Sequence, residues 1–150
     1  MSSDPSPSGQ NLSDQDLYNE LAFYTLELRD PDFIHQHIVD AWAVQHAETD
    51  TKPIAIVFGL IGLYLYVEKN FSGRQVQLAH MRMARYRRQW VAPPIPERRA
   101  VIGVANVLAT PPGSKRHAMI LRWCEAVWRD WHASRPQIVA IAHQELGIAP

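Results

Sequence analysis

The sequence predicts an all-α fold, a bundle of five or six helices around one central apolar helix. Three observations carry this reading. Apolar residues recur at steps of three and four along most of the chain. Residues that start helices stand just ahead of those stretches. The run Ile54 to Val67 is apolar on every side for 14 residues, longer than strands usually are. It is also shorter than the roughly 20 residues a membrane span needs, so a buried helix is the better reading.

Met1 to Asn11 is rich in Ser, Pro and Gly and has almost nothing to bury, which predicts a disordered tail. Residues 12–150 then form one helical domain. Ser13-Asp14-Gln15-Asp16 offers a cap and an acidic first turn. Leu17, Leu21, Tyr24 and Leu28 follow on one face of a helix ending near Arg29. Asp30-Pro31 is the next start signal, for a helix from Asp32 to about Ala47. Ile34, Ile38, Ala41 and Gln45 share a face of it, with Val39 and Trp42 alongside.

Thr51-Lys52-Pro53 opens the central helix, and Asn70 and Gly73 mark its end and turn. Gly59 and Gly62 each cost about 1 kcal/mol of helix propensity relative to Ala, which close approach of a neighbouring helix would offset. Arg74 to Trp90 is predicted helical and strongly basic. Ala92-Pro93-Pro94-Ile95-Pro96 is an extended connector, since proline fits neither a helix interior nor a central strand. Ala100 to Thr110 is compatible with a strand or a short helix. The helix over Val104 to Ala109 is preferred, because a lone strand has no pairing partner.

After the turn at Pro111-Pro112-Gly113-Ser114, His117, Leu121, Cys124, Trp128 and Trp131 form the clearest amphipathic stripe in the chain. A last helix runs from Pro136 to Leu146 and stops at Gly147.

The formal net charge is zero, but residues 1–70 carry −8 and residues 71–150 carry +8. Such a division suits an anion-binding second half, or two halves that pack and neutralise each other. The second is preferred, because each half is short for an independent domain. A single cysteine excludes an intramolecular disulfide and a thiolate zinc cage. With no secretory signal at Met1-Ser-Ser-Asp-Pro, this places the chain in the cytoplasm. Membrane partners are not expected, and a homo-oligomer is compatible with the composition.

Chemistry concentrates in His35-Gln36-His37-Ile38-Val39-Asp40 and His46. Imidazoles and a carboxylate are ligands for Zn, Ni or Fe. His35 and His46 share a helix face but stand roughly 16 Å apart along the axis, so they cannot hold one ion alone. His37 and Asp40 are neighbours on another face and could hold a metal or form an acid–base pair. A metal site would need help from another helix, and His117 is the best placed. The metal candidates are therefore His35, Asp40, His46 and His117, and the catalytic candidates are His37 and Asp40. The competing reading makes these histidines capping, surface or core residues.

A second group, Arg82, Arg85, Arg88, Arg98 and Arg99, is interleaved with Tyr86 and Trp90 and suits anion or single-stranded nucleic acid contact. The neutral overall charge argues against a dedicated nucleic-acid binder. Cys124 lies on the apolar stripe and reads as a buried structural thiol. Two function classes follow: a protein with a His/Asp metal or acid–base site, or a non-enzymatic binding protein using its basic surface.

Two stretches resemble the bacterial family of unknown function DUF5946. One is HQHIVDAWAVQH (His35 to His46) with the later Tyr64-Leu65-Tyr66-Val67-Glu68. The other is Trp90-Val91-Ala92-Pro93-Pro94, then His117, then Arg122 to Trp131, RWCEAVWRDW. The resemblance covers roughly residues 30–135. It implies a common fold and a shared use of His35, Asp40, Gln45, His46 and His117, and it implies no activity. The chain lacks the cysteine-bearing segment with which many members begin, and has Gly59 where some carry His. More loosely, the arrangement is similar to DinB-like helical bundles, whose histidines on separate helices bind a metal.

Overall fold

The computed structural model describes residues 12–150. The tail expected to be disordered, 1–11, lies outside the described residues. Seven α-helices and no strand occur among the described residues. They are α1 (Asp14–Glu27), α2 (His35–Gln45), α3 (Pro53–Lys69), α4 (Gly73–Met83), α5 (Val104–Leu108), α6 (Ser114–Asp130) and α7 (Arg135–Leu146). A 3-10 turn, His132–Ser134, joins the last two.

Local chemistry explains most of the boundaries. The Ser13 hydroxyl accepts from Asp16 N–H and the Asp16 carboxylate accepts from Ser13 N–H, a reciprocal cap on α1. Ser72 and Gln75 repeat that arrangement at the start of α4. Pro53 occupies the first turn of α3, where a missing N–H costs nothing. Asn70 ends α3 at φ 58 and Gly147 ends α7 at φ 69, both left-handed.

Two helices differ from expectation. α2 begins at His35 rather than Asp32, because Asp30 caps a preceding turn, its carboxylate accepting from Asp32 N–H and Ile34 N–H. α4 ends at Met83, not Trp90. Beyond Met83 the arginines crowd like charges at helical spacing, which disfavours continuation. Trp90 instead seats edge-on against Phe58 of α3, ring centroids 5.4 Å apart.

α3 is the packing centre. α2, α4, α6 and α7 lie against it, while α1 packs on α2 and α5, away from α3. Ile56 to Leu65 is buried, apart from a half-buried Phe58. Both central glycines serve close approach of α2: a Cβ at Gly59 would meet Val44 Cγ1 at 2.6 Å, and one at Gly62 would overlap Asp40 Oδ2. The inward face of α6 is centred on Ile120, Trp123 and Val127, so it is rotated from the predicted stripe. Leu121 and His117 therefore fall at its edge, half-buried.

The opposite charges of the two halves are only sparingly paired internally. Among the described residues Arg135–Glu68 is the one Arg–carboxylate ion pair that joins the halves; Arg88–Glu145 lies within the second. No described helix is long and apolar enough to cross a membrane.

Candidate functional site

Each predicted site residue has a defined place. His35 closes the joint between α1 and α2: its Nδ1 is 2.8 Å from Thr25 Oγ1, and that hydroxyl donates to Ala22 O. With the hydroxyl hydrogen so committed, His35 Nδ1 is the donor to Thr25. His46 lies just past the end of α2, exposed and stacked on Trp42 at 3.7 Å, with Nδ1 on Trp42 O at 3.0 Å.

Asp40 is buried at the α2–α3 contact. Oδ1 accepts from Gln36 Nε2 at 3.1 Å, and Oδ2 has no hydrogen-bond partner among the described residues. Burial pushes its carboxyl well above the ordinary range, so the neutral acid is favoured. His37 is also buried, its ring stacked on Tyr66 with centroids 3.4 Å apart and planes 7° from parallel. Its buried Nδ1 has no partner among the described residues. Desolvation pushes the imidazole down to about 3, against a smaller opposing effect of the Asp30 charge. His37 and Asp40 are neighbours on α2, but no hydrogen bond joins them among the described residues.

His117, near the start of α6, pairs with Tyr24 of α1, Nε2 to Oη 3.0 Å. Gly113 N–H donates to the same phenolic oxygen, leaving the phenol hydrogen for His117 Nε2. In the neutral ring Nδ1 then carries the hydrogen and has no partner among the described residues. No group of three His, Cys, Asp or Glu side chains among the described residues is placed to hold one metal ion. The structure does not bring His35, Asp40, His46 and His117 together.

It does bring His37 and His117 to one cleft of about 490 Å³. Its wall includes Asp30, Asp32, Tyr66, Phe71, Ser72 and Gln75 and, among the described residues, no Lys or Arg. Burial holds the Tyr66 phenol in its neutral form, pushing it above its ordinary value. The walls come together because the α1–α2 loop sits on the start of α4. Arg74 N–H donates to Asp32 O at 2.8 Å, and any Cβ at Gly73 would overlap Phe33 O. Phe33 itself has φ 54, a left-handed conformation unusual for a bulky side chain. Of this wall only His37 and His117 are candidates in the sequence; Asp30, Asp32, Tyr66, Phe71, Ser72 and Gln75 are not. Tyr66 looked like core; Gln75 was detectable as half of the capping box Ser72-x-x-Gln75.

Gln45, Arg99 and Arg116 brace the fold. Gln45 Oε1 accepts from the buried Trp123 Nε1 at 2.8 Å, and Nε2 donates to Ile102 O at 2.8 Å. The Arg99 guanidinium donates to Gln45 O and Ala47 O, capping α2. Arg116, missed in the sequence as a structural residue, donates to Leu108 O and Thr110 O, and its guanidinium lies 4.6 Å from the Tyr24 ring centroid. Arg99→Met should lower stability by about 1–2 kcal/mol, the loss of charge-assisted bonds at a partly solvated site. Urea denaturation measures this; an unchanged midpoint would show that the cap contributes nothing. Arg82 approaches Leu146 O at 3.4 Å and Arg88 pairs with Glu145 at 2.9 Å. Arg85 and Arg98 are exposed, with no side-chain partner among the described residues.

The chain is thus an all-α bundle with a histidine-walled cleft between its second, third, fourth and sixth helices. A model of a family of unknown function, DUF5946, matches residues 11–132, and the chain belongs to that family. The match contains every wall residue of the cleft and stops short of α7. No curated protein and no solved structure matches the chain.

Proposed function

We propose that the protein binds a small ammonium-bearing molecule in the His37–His117 cleft. The observation that carries this is the wall itself: two carboxylates, two imidazoles, Tyr66 and Phe71, with no cationic side chain lining it among the described residues. Carboxylates and aromatic faces both attract an ammonium group. The His117 Nδ1–H, without a partner among the described residues, supplies a hydrogen bond that orients the remainder of the ligand. An anionic ligand fits less well. Two first-turn N–H groups of α4 are already engaged, Arg74 by Asp32 O and Gln75 by the Ser72 hydroxyl.

Binding is favoured over acid–base catalysis by the state of His37. A group titrating near 3 is a poor proton acceptor at neutral pH. The His37–Asp40 pair does not support catalysis either, since no hydrogen bond links the two. The dispersed His35, Asp40, His46 and His117 likewise give a shared metal site no support.

Calorimetry with ethanolamine, acetate and zinc chloride as separate probes tests the proposal. Ethanolamine should bind, and Asp32→Asn should weaken it about tenfold, the loss of one charged contact. Asp32 suits the test because its side chain is exposed and makes no hydrogen bond among the described residues. Binding of zinc or acetate in preference to ethanolamine would overturn the assignment, as would an Asp32→Asn protein that binds as well as the parent.

A further inference from the structure

Two exposed helix faces carry apolar residues ringed by charge of opposite sign. On α1, Asp16, Glu20, Phe23 and Glu27 fall within an arc of about 60°. Leu26 flanks them, and all five are exposed, Phe23 to 67% and Leu26 to 53%. On α4, Arg74, Leu78, Met81 and Arg82 occupy an arc of about 100°. Met81 is 62% exposed and Leu78 48%. Arg85 joins Leu78, Met81 and Arg82 around a shallow depression of about 710 Å³. Exposed leucine, methionine and phenylalanine on two helices exceed what scattered surface apolar residues require.

We infer that the α1 face of one copy docks on the α4 face of a second copy of this chain. Three features select a second copy as the occupant. The faces are complementary in charge, acidic around Phe23 and Leu26, basic around Leu78 and Met81. The internal packing leaves those charges available: Glu20, Glu27 and Arg85 make no ion pair among the described residues. α1 and α4 both pack on α2 and do not touch each other, so neither face covers the other. Lateral packing of one helix face on another buries less than a standard interface of about 800 Å² per partner, so the association is weak and concentration-dependent. It is also heterologous. Each contact leaves one α1 face and one α4 face unused, so growth continues past the dimer unless the rotation closes a ring.

Sedimentation of the full chain at about 20 mM and about 500 mM salt reads this directly, because screening weakens exposed charge pairs. At low salt the mean mass should rise above 17.1 kDa with concentration, and it should fall back at high salt. Arg82→Glu with Arg85→Glu should remain monomeric, and so should Glu20→Arg with Glu27→Arg. An equimolar mixture of the two double variants should associate again, because each then presents a face complementary to the other. Circular dichroism confirms that both are folded, and the mixture distinguishes lost docking from lost structure. A parent chain that is monomeric at every concentration overturns the inference, as does a mixture that stays monomeric while the parent associates. Vesicles of phosphatidylcholine and phosphatidylglycerol make the last arm. A monomeric parent that binds them through Arg82 and Arg85 would give the α4 face to lipid and likewise overturn it.

Discussion

Gly62→Ala is expected to destabilise the fold by about 2–3 kcal/mol, although alanine is the better helix former. The new methyl would overlap Asp40 Oδ2, and Val76 Cγ1 lies only 3.2 Å away. Asp40 has little room to yield, since its carboxyl is buried where two helix backbones approach closely. The effect should therefore depend on Asp40. In an Asp40→Ala background the methyl occupies space the carboxyl has vacated, and Gly62→Ala should be neutral or stabilising by about 1 kcal/mol. Guanidinium midpoints of the four proteins complete the cycle. Equal costs in the two backgrounds would mean that Asp40 does not fill the notch at Gly62.

A pH dependence with two opposed components is the second large effect. His37 is held near 3 when folded, against an ordinary value near 6.5. Its contribution is fully present above about 6.5 and is lost as pH falls toward 3, at about 1.4 kcal/mol per unit and on the order of 5 kcal/mol in all. Asp40 behaves oppositely. Its folded pKa is raised well above 3.8, so its contribution is fully present below 3.8 and is lost as pH rises above it. Where both titrate, the slopes offset. Asp40→Asn should expose the histidine slope, with stability falling on acidification from about pH 6.5. His37→Phe keeps an aromatic ring on Tyr66 and should expose the other slope, with stability rising as pH falls toward 4. Urea midpoints at several pH values would reveal both. Parallel curves for the two variants would contradict the assigned protonation states.

The helices were legible because their signals are local. The Ser13 cap, Pro53, Asn70 and Gly147 act within one or two turns, and each marks a real boundary. The glycine pair was legible as close approach, though its partner helix was not. What sits on His37 depends on Tyr66, which arrives from another helix, and periodicity carries no information about that. The same limit applies to the four proposed metal ligands. A helix face gives a side chain's direction but not what meets it, so His46 faces Trp42 and His35 faces Thr25. On α6, Leu121 and Ile120 are equally apolar, and only packing against α2 and α3 chooses between their stripes. The prediction that the halves neutralise each other also failed to distinguish contact from cancellation. Most of the charge stays on the surface.

The most direct test of the binding cleft is a nitrogen-15 NMR titration of the full chain with ethanolamine, following backbone amides and histidine ring nitrogens. The cleft assignment predicts shifts at His37 and His117 and at the amides of Tyr66 and of Ser72 to Gln75, with Trp42 and His46 unmoved. Shifts confined to the second concavity, lined by Asp14, Trp42, Gln45 and His46, would contradict it, and so would a spectrum that does not change.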